Sequence, residues 1–415
     1  MSYFAYKNNI LHCEEVDVSM VAKQYGTPCY IYSRKAIEDN LQIYQIGTAN
    51  TRCRVSYAVK ANSNIAILNL FAKHNIGFDI VSLGELERVL IAKGDPKKII
   101  FSGVGKRTDE ITSAIQIGVG CFDIESITEL ERINQIATQE KVIVNIALRV
   151  NPNIDAKTHP YISTGLKENK FGIDLSEVIT ICDTLQNMPY IKLVGLACHI
   201  GSQLVHLDPF LTAIDCLIDL SNQLINGGIP LQYLNIGGGL GVSYGGESVP
   251  SISEYLSSII KKSNHSPLEI VLEPGRSLVA NTGILLTQTE YIKQTPHKNF
   301  LVVDAGMNDL IRPALYDAWH DIQPVNRHHT ISPQIYDVVG PVCETADFIG
   351  KHRKLAVRAS DLLAVFTVGA YGFCMSSNYN SRPRPPEILI DKNEVHVIRE
   401  RETINDLFQL EHLIK

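Results

Sequence analysis

A chain of 415 residues, 45% hydrophobic and 20% charged, is long enough to bury a large core and to form one large and one smaller domain. Its formal charge of -6 and its scattered Lys and Arg residues argue against a nucleic-acid partner, and no stretch approaches the length needed to span a bilayer. Nine cysteines, odd in number and without CxxC or Cys/His ligand spacing, suit a reduced compartment, and Met1–Lys7 lacks the basic and apolar runs of an export signal, so a cytoplasmic protein without a metal site is expected.

The first residues alternate in short pieces, Phe4–Tyr6, Ile10–Cys13 and Cys29–Tyr32, around a helix-like run at Val18–Gln24. Ser33–Tyr44 reads as a helix leading into the next region. From Arg54 onward apolar strands alternate with amphipathic helices. The strands are Val55–Lys60, Gly77–Ser82, Ile99–Ser102, Gly120–Ile124, Val144–Asn151, Leu193–Ile200, Tyr233–Gly237 and Leu268–Pro274. The helices are Ile65–Lys73, Leu83–Ala92, Arg107–Gln116, Ser126–Gln139, Leu175–Leu185, Asp208–Ile225 and Ser251–Lys261, with Ser126, Asp174 and Ser251 as caps and stops at Gly94 and Gly227-Gly228. Eight strands alternating with helices such as these predict a (β/α)8 TIM-like barrel over residues 33–278, in preference to an open doubly wound sheet, because polar residues end every strand instead of gathering at one switch point.

After Leu278 the chain turns strand-rich: Ile284–Thr289, Phe300–Asp304, Gln334–Val339, Leu362–Thr367, Glu387–Ile390 and Glu394–Arg399. Residues 279–415 are expected to form a C-terminal β-sandwich or small β-barrel, and residues 1–32 to contribute strands to it.

Barrel chemistry gathers at the C-terminal ends of the strands. Here those ends carry Lys60, Asp79 with Ser82, Ser102, Asp123, Arg149, His199 with Ser202, Gly237-Gly238-Gly239, and Glu273-Pro274-Gly275-Arg276. The glycine triplet is either a tight turn or a place where backbone N–H groups approach an anion. Glu273, at the tip of an apolar strand, needs a partner, either Arg276 or a protonated pyridine nitrogen. An amine to form a Schiff base, glycines for a phosphate and an acid for a ring nitrogen together fit pyridoxal 5'-phosphate.

Tyr57-Ala58-Val59-Lys60-Ala61-Asn62, His199-Ile200-Gly201-Ser202-Gln203, Gly237-Gly238-Gly239 and Glu273-Pro274-Gly275-Arg276 resemble the motifs of the fold-type III pyridoxal-phosphate decarboxylases. Gly340–Asp347, Gly369–Gly372 and Ser376–Pro385 resemble, within that group, the diaminopimelate decarboxylase family. Thr158–Gly165 and Lys170–Gly172 also match its pattern. The resemblance implies that Lys60 holds the cofactor, His199 stacks on its ring and Glu273 pairs with the pyridine nitrogen. It implies that Ser202, Gly238, Gly239, Gly275, Arg276 and Tyr371 surround the phosphate. Arg276, Arg312, Tyr316, Glu344 and Tyr371 would bind substrate, and Cys343 would return a proton. It further implies a homodimer whose Cys343-Glu344 segment enters the neighbouring subunit's site. The implied reaction is decarboxylation of meso-2,6-diaminopimelate to L-lysine and carbon dioxide, the last step of lysine biosynthesis. Alternatives are decarboxylation of ornithine, arginine or carboxynorspermidine, an alanine-type racemase, which would use a tyrosine base, or a non-catalytic pyridoxal-phosphate carrier.

Overall fold

The computed structural model describes residues 3–154, 169–327 and 330–414. Thr158–Gly165, matched above to a family pattern, lies outside the described residues. The chain divides into two compact units: residues 41–242 with 248–277, and residues 1–40 with 243–247 and 278–415.

In the first unit, Cys53–Ala58, Gly77–Ile80, Ile99–Phe101, Cys121–Ile124, Val144–Asn151, Ile191–Ala197, Tyr233–Asn235 and Glu269–Leu272 pair in parallel, each with the next. The last returns to the first, Ile270 opposite Cys53, and closes the barrel. These strands read as continuous apolar runs because both faces are covered, as in the wholly buried Ile99-Ile100-Phe101. Inside the barrel, Ile100, Cys121, Ala147, Val194, Ala197, Tyr233 and Val271 pack together. Gly195 is demanded by this packing, since a Cβ there would lie 2.7 Å from the Tyr233 ring. A filled interior leaves the strand ends as the place for chemistry.

Side-chain capping fixes where several of the helices start. Asn64 accepts from Ala66 N–H, Ser82 from Glu85, Ser126 from Glu129 and Ser251 from Glu254, each cap being worth about 1 kcal/mol. Asn64, Ser82 and Ser126 lie a few residues past a strand's C-terminal end, so these caps also limit how far the rim loops wander.

The second unit is a mixed sheet in the order Phe348–Leu355, Gln334–Val339, Asn299–Val303, Gly283–Gln294, Cys29–Ser33, Glu387–Asp391, Glu394–Arg399, with Leu362–Phe366 joining Gly283–Gln294 to Ile322–Pro324. Cys29–Ser33 is wholly buried, antiparallel to Gly283–Gln294 and parallel to Glu387–Asp391. Phe4–Lys7, Ile10–Cys13 and Val16–Asp17 form a separate three-stranded sheet. Its Leu11 and Cys13 join the core of Ile31, Ile284, Leu286, Ala364 and Ile388.

Candidate active site

Lys60 lies two residues past the end of its strand, Cys53–Ala58. The sequence pattern continues that strand to Lys60, but the Ala58 N–H bonds to Pro274 O (3.1 Å) and Val59–Ala61 turns into a single 3₁₀ turn. Val59 and Ala61 are buried and Lys60 is half-buried between them. Its Nζ donates to Asp79 Oδ2 at 2.8 Å, from the end of the second barrel strand.

Three carboxyl groups, Asp79, Asp123 and Glu273, are buried at these strand ends. Burial, then the neighbouring Asp79 and Asp123, pushes Glu273 well above the usual carboxyl range, while Lys60 and a hydrogen bond from Asn235 pull it down. Burial and Asp79 likewise raise Asp123, against Lys106 and Arg149. Asp79 Oδ1 and Asp123 Oδ1 are buried without a hydrogen-bond partner. Orphaned acceptors of this kind cost about 1–3 kcal/mol each and suit a cationic ring or ammonium group.

His199 stands beside the glycine loop, and Gly238 N–H donates to its Nδ1 at 3.3 Å. The ring is therefore neutral with its proton on Nε2, in keeping with the downward push from burial, Lys60 and Arg149.

The glycines are required by close backbone approach. A Cβ would lie 2.7 Å from Cys198 O at Gly237, 2.1 Å from Glu273 O at Gly238 and 2.4 Å from Gly201 O at Gly239. Gly237 (φ +68°) and Gly239 (φ +119°) also have backbone angles that L side chains resist. Gly275 packs against the lysine turn, where a Cβ would meet Ala61 Cβ at 2.9 Å. Arg276 Nη2 donates to Ser202 Oγ at 2.9 Å. Lys60, His199, Ser202, Gly238, Gly239, Glu273, Gly275 and Arg276 thus converge at one end of one barrel. The orphaned acids and the glycine cradle beside an arginine fit pyridoxal phosphate at its two charged ends.

The remaining expected residues belong to the second unit. Arg312 opens the helix Arg312–Tyr316, is buried, and donates from Nη1 to Tyr244 Oη at 2.6 Å. Tyr316 and Tyr371 are half-buried, the latter at φ +56°. Cys343 and Glu344 are exposed in a turn braced from two sides. Asn380 Oδ1 accepts from Cys343 N–H (2.7 Å), and Asp347 accepts from Val342 N–H (2.7 Å) and Met307 N–H (2.6 Å).

Several contributors were not singled out from sequence: Asn235, Lys106, Glu125, Glu129, Tyr244 and Asn380. The one available signal was for Asn235, a polar residue ending an apolar strand just before the glycine triplet. Among the described residues no cluster of His, Cys, Asp and Glu suits a metal ion, and no helix is long and apolar enough to cross a membrane.

The family described as "Pyridoxal-dependent decarboxylase, pyridoxal binding domain" matches residues 35–280. The chain is 50% identical to a diaminopimelate decarboxylase of Pseudomonas aeruginosa and 49% identical to that of Haemophilus influenzae, in each case over 100% of both chains. It is similar, at 38% identity and a TM-score of 0.94 over 99% of this chain and 98% of the other, to the crystal structure of diaminopimelate decarboxylase from M. jannaschii in co-complex with L-lysine. A buried acid cluster, an amine and a glycine cradle at one barrel end, with full-length likeness of this degree, place the chain in the diaminopimelate decarboxylase family of pyridoxal-dependent decarboxylases.

Proposed function

We propose that this chain removes carbon dioxide from meso-2,6-diaminopimelate to give L-lysine, with pyridoxal 5'-phosphate at the barrel rim. The observation that carries the reading is the convergence of Lys60, the Asp79, Asp123 and Glu273 carboxyls and the Gly237–Gly239 loop at one set of strand ends. When bound, the cofactor supplies an electron sink for the bonding pair released as carbon dioxide leaves.

In this reading Lys60 anchors the cofactor, and Glu273 holds the ring nitrogen in its charged form. The neutral His199 offers a flat face to the ring without competing positive charge. Ser202, Gly238, Gly239, Gly275 and Arg276 hold the phosphate, with Tyr371 assigned to it by the family pattern. A substrate with an amino-acid group at each end needs its distal end recognised. Arg312 is matched to the distal carboxylate and Glu344 to the distal ammonium, with Tyr316 beside them. Cys343 delivers a proton to the carbon that has lost its carboxylate.

The exposed turn carrying Cys343 and Glu344, held in shape by Asp347 and Asn380, favours a homodimer in which this turn serves the site of a second copy. A cytoplasmic location is favoured by nine free cysteines.

Carbon dioxide release from meso-diaminopimelate, ornithine, arginine and carboxynorspermidine, measured on the purified holoenzyme, tests the assignment. Release from meso-diaminopimelate with stoichiometric L-lysine is expected. Preference for another substrate would reassign the distal pocket, and no release from any of them would favour the carrier.

A further inference from the structure

Asn235 is the last residue of the seventh barrel strand and is only 1% exposed. Its side chain is hydrogen-bonded in two opposite directions. Oδ1 accepts from Gly237 N–H at 2.9 Å, and Nδ2 donates to Glu273 Oε1 at 2.6 Å. The second Nδ2 hydrogen points to Asp123 Oδ2 at a longer 3.4 Å. This pattern leaves no choice of amide orientation, because a backbone N–H can bond only to the oxygen and a carboxylate needs the nitrogen.

We infer that Asn235 is a positioning residue that couples the two ends of the cofactor site, aiming the Glu273 carboxylate at the ring while fixing the first turn of the phosphate loop. The inference rests on the proposed roles of Glu273 and Gly237–Gly239 and assigns how they are kept in register. Glu273 N–H also bonds to Gly237 O at 2.8 Å, so backbone and side chain together tie the eighth strand to the loop after the seventh.

The residue type follows from the two demands. A rigid planar group must present an acceptor at one corner and a donor at the other, about one side chain's reach from Cα. Aspartate would turn a second acceptor toward Glu273, serine offers one atom for both tasks, and glutamine is a methylene too long for the gap. The donated bond favours the ionised form of Glu273 against the opposing influences on that carboxyl. Those facing it are Asp79 and Asp123, which oppose ionisation, Lys60, which favours it, and the Cys198 thiol nearby.

The test uses the apoprotein titrated with pyridoxal 5'-phosphate, read by the visible absorbance of bound cofactor across pH, and with inorganic phosphate as competitor. Glu273→Gln weakens cofactor binding, abolishes its dependence on the Glu273 proton and leaves phosphate competition unchanged. Asn235→Ala weakens the cofactor about ten- to a hundredfold, moves the acid limb of the profile to higher pH, and weakens phosphate competition as well. If Asn235→Ala does not fold, Asn235→Asp keeps the Gly237 acceptor and loses the donor, so it moves the acid limb upward and leaves phosphate within about twofold. A Glu273→Gln protein identical to wild type in spectrum and pH profile would overturn the site reading itself. A Glu273→Gln protein that behaves as stated, beside Asn235 variants that merely lower thermal stability, would overturn the role of Asn235 alone.

Discussion

Among the described residues Lys106 is the most deeply buried cation at this end of the barrel, and its removal is a quantitative test of how that end is held. Its side chain is 1% exposed and its Nζ donates to Glu129 Oε1 (2.7 Å), Asp123 O (2.6 Å) and Gly103 O (2.8 Å). Glu129, itself 8% exposed, accepts from Glu125 N–H through its other oxygen (2.6 Å). Glu125 in turn binds Arg149 (2.6 Å) and Gly172 N–H (2.8 Å). Lys106→Met fills similar volume but leaves a buried carboxylate without its counter-charge, which costs about 3–5 kcal/mol. Adding Glu129→Gln removes that charge while keeping an acceptor for Glu125 N–H, so the double variant should be about 1–3 kcal/mol more stable than Lys106→Met alone. Urea unfolding of the apoproteins, followed by far-ultraviolet circular dichroism, measures both. The single tryptophan, Trp319, lies in the other unit and would report poorly. A cost below about 1 kcal/mol for Lys106→Met, or simple additivity in the double variant, would refute the claim that this pair is desolvated and mutually dependent.

Gly238→Ala places a methyl group 2.1 Å from Glu273 O, an overlap that strand movement must relieve at about 1–3 kcal/mol. Its phosphate competition should weaken, and unchanged competition would remove the loop from the phosphate site. Lys60→Ala should purify without the visible band of covalently held cofactor, and Cys343→Ala should bind cofactor normally but turn over poorly. If the proposed homodimer is right, mixing the inactive Lys60→Ala protein with the impaired Cys343→Ala protein and allowing subunit exchange should raise activity above that of either alone, because one hybrid site has an intact lysine and an intact cysteine from the other chain; no gain would place Cys343 in its own subunit's site. Burial, then the nearby Asp304 and Asp347, raises Asp309 to about 7 despite the Gly306 N–H and Arg382. The folded chain therefore keeps a proton that the unfolded chain gives up from about pH 4, and stability falls with rising pH between about 4 and 7, by at most about 1.4 kcal/mol per unit. Asp309→Asn cannot ionise, so urea midpoints should show it gaining on wild type across that window and levelling off above it, whereas parallel curves would sink the assignment.

The barrel was legible because its strands are covered on both faces and several of its helices carry side-chain caps, so Ile99-Ile100-Phe101 and Ser251 with Glu254 read directly from residue type. Phe348–Leu355 was not. As an edge strand paired only with Gln334–Val339, it carries Lys351, His352, Arg353 and Lys354, charges that protect an edge but erase the strand signal. Gly94, expected as a helix stop, does follow the end of Leu83–Ile91, with its N–H on Val89 O at 2.9 Å, but the left-handed residue there is Lys93 (φ +68°), and what demands glycine at 94 is packing, since a Cβ would meet Val89 Cγ1 at 2.5 Å. Left-handed residues follow other helices at Gly118 (φ +82°), Lys141 (φ +56°) and Gly228 (φ +89°). In the site, Lys60, the glycines and Glu273 were legible as motifs. Asn235, Lys106 and Glu129 were not, because each acts through hydrogen bonds between strand ends far apart in the chain, and residue type alone does not say which ends meet.

Those long-range contacts also explain why the site is built with more acid than base. Lys60 sits against Asp79, and burial together with Asp79 raises the proton affinity of both Asp123 and Glu273, with Asp123 adding to the rise at Glu273. A protein selected only for stability gains by replacing such groups with apolar ones. Keeping them is intelligible under the proposed function: a charged pyridine nitrogen shared among these acids would relieve the repulsion, and the free energy that the repulsion costs the protein would reappear as affinity for a ligand of that charge. Lys106 and Arg149 moderate the repulsion at Asp123 while their own charges are paired with Glu129 and Glu125. The site is therefore a deliberate imbalance, with its compensating cations placed where they steady the acids without neutralising them.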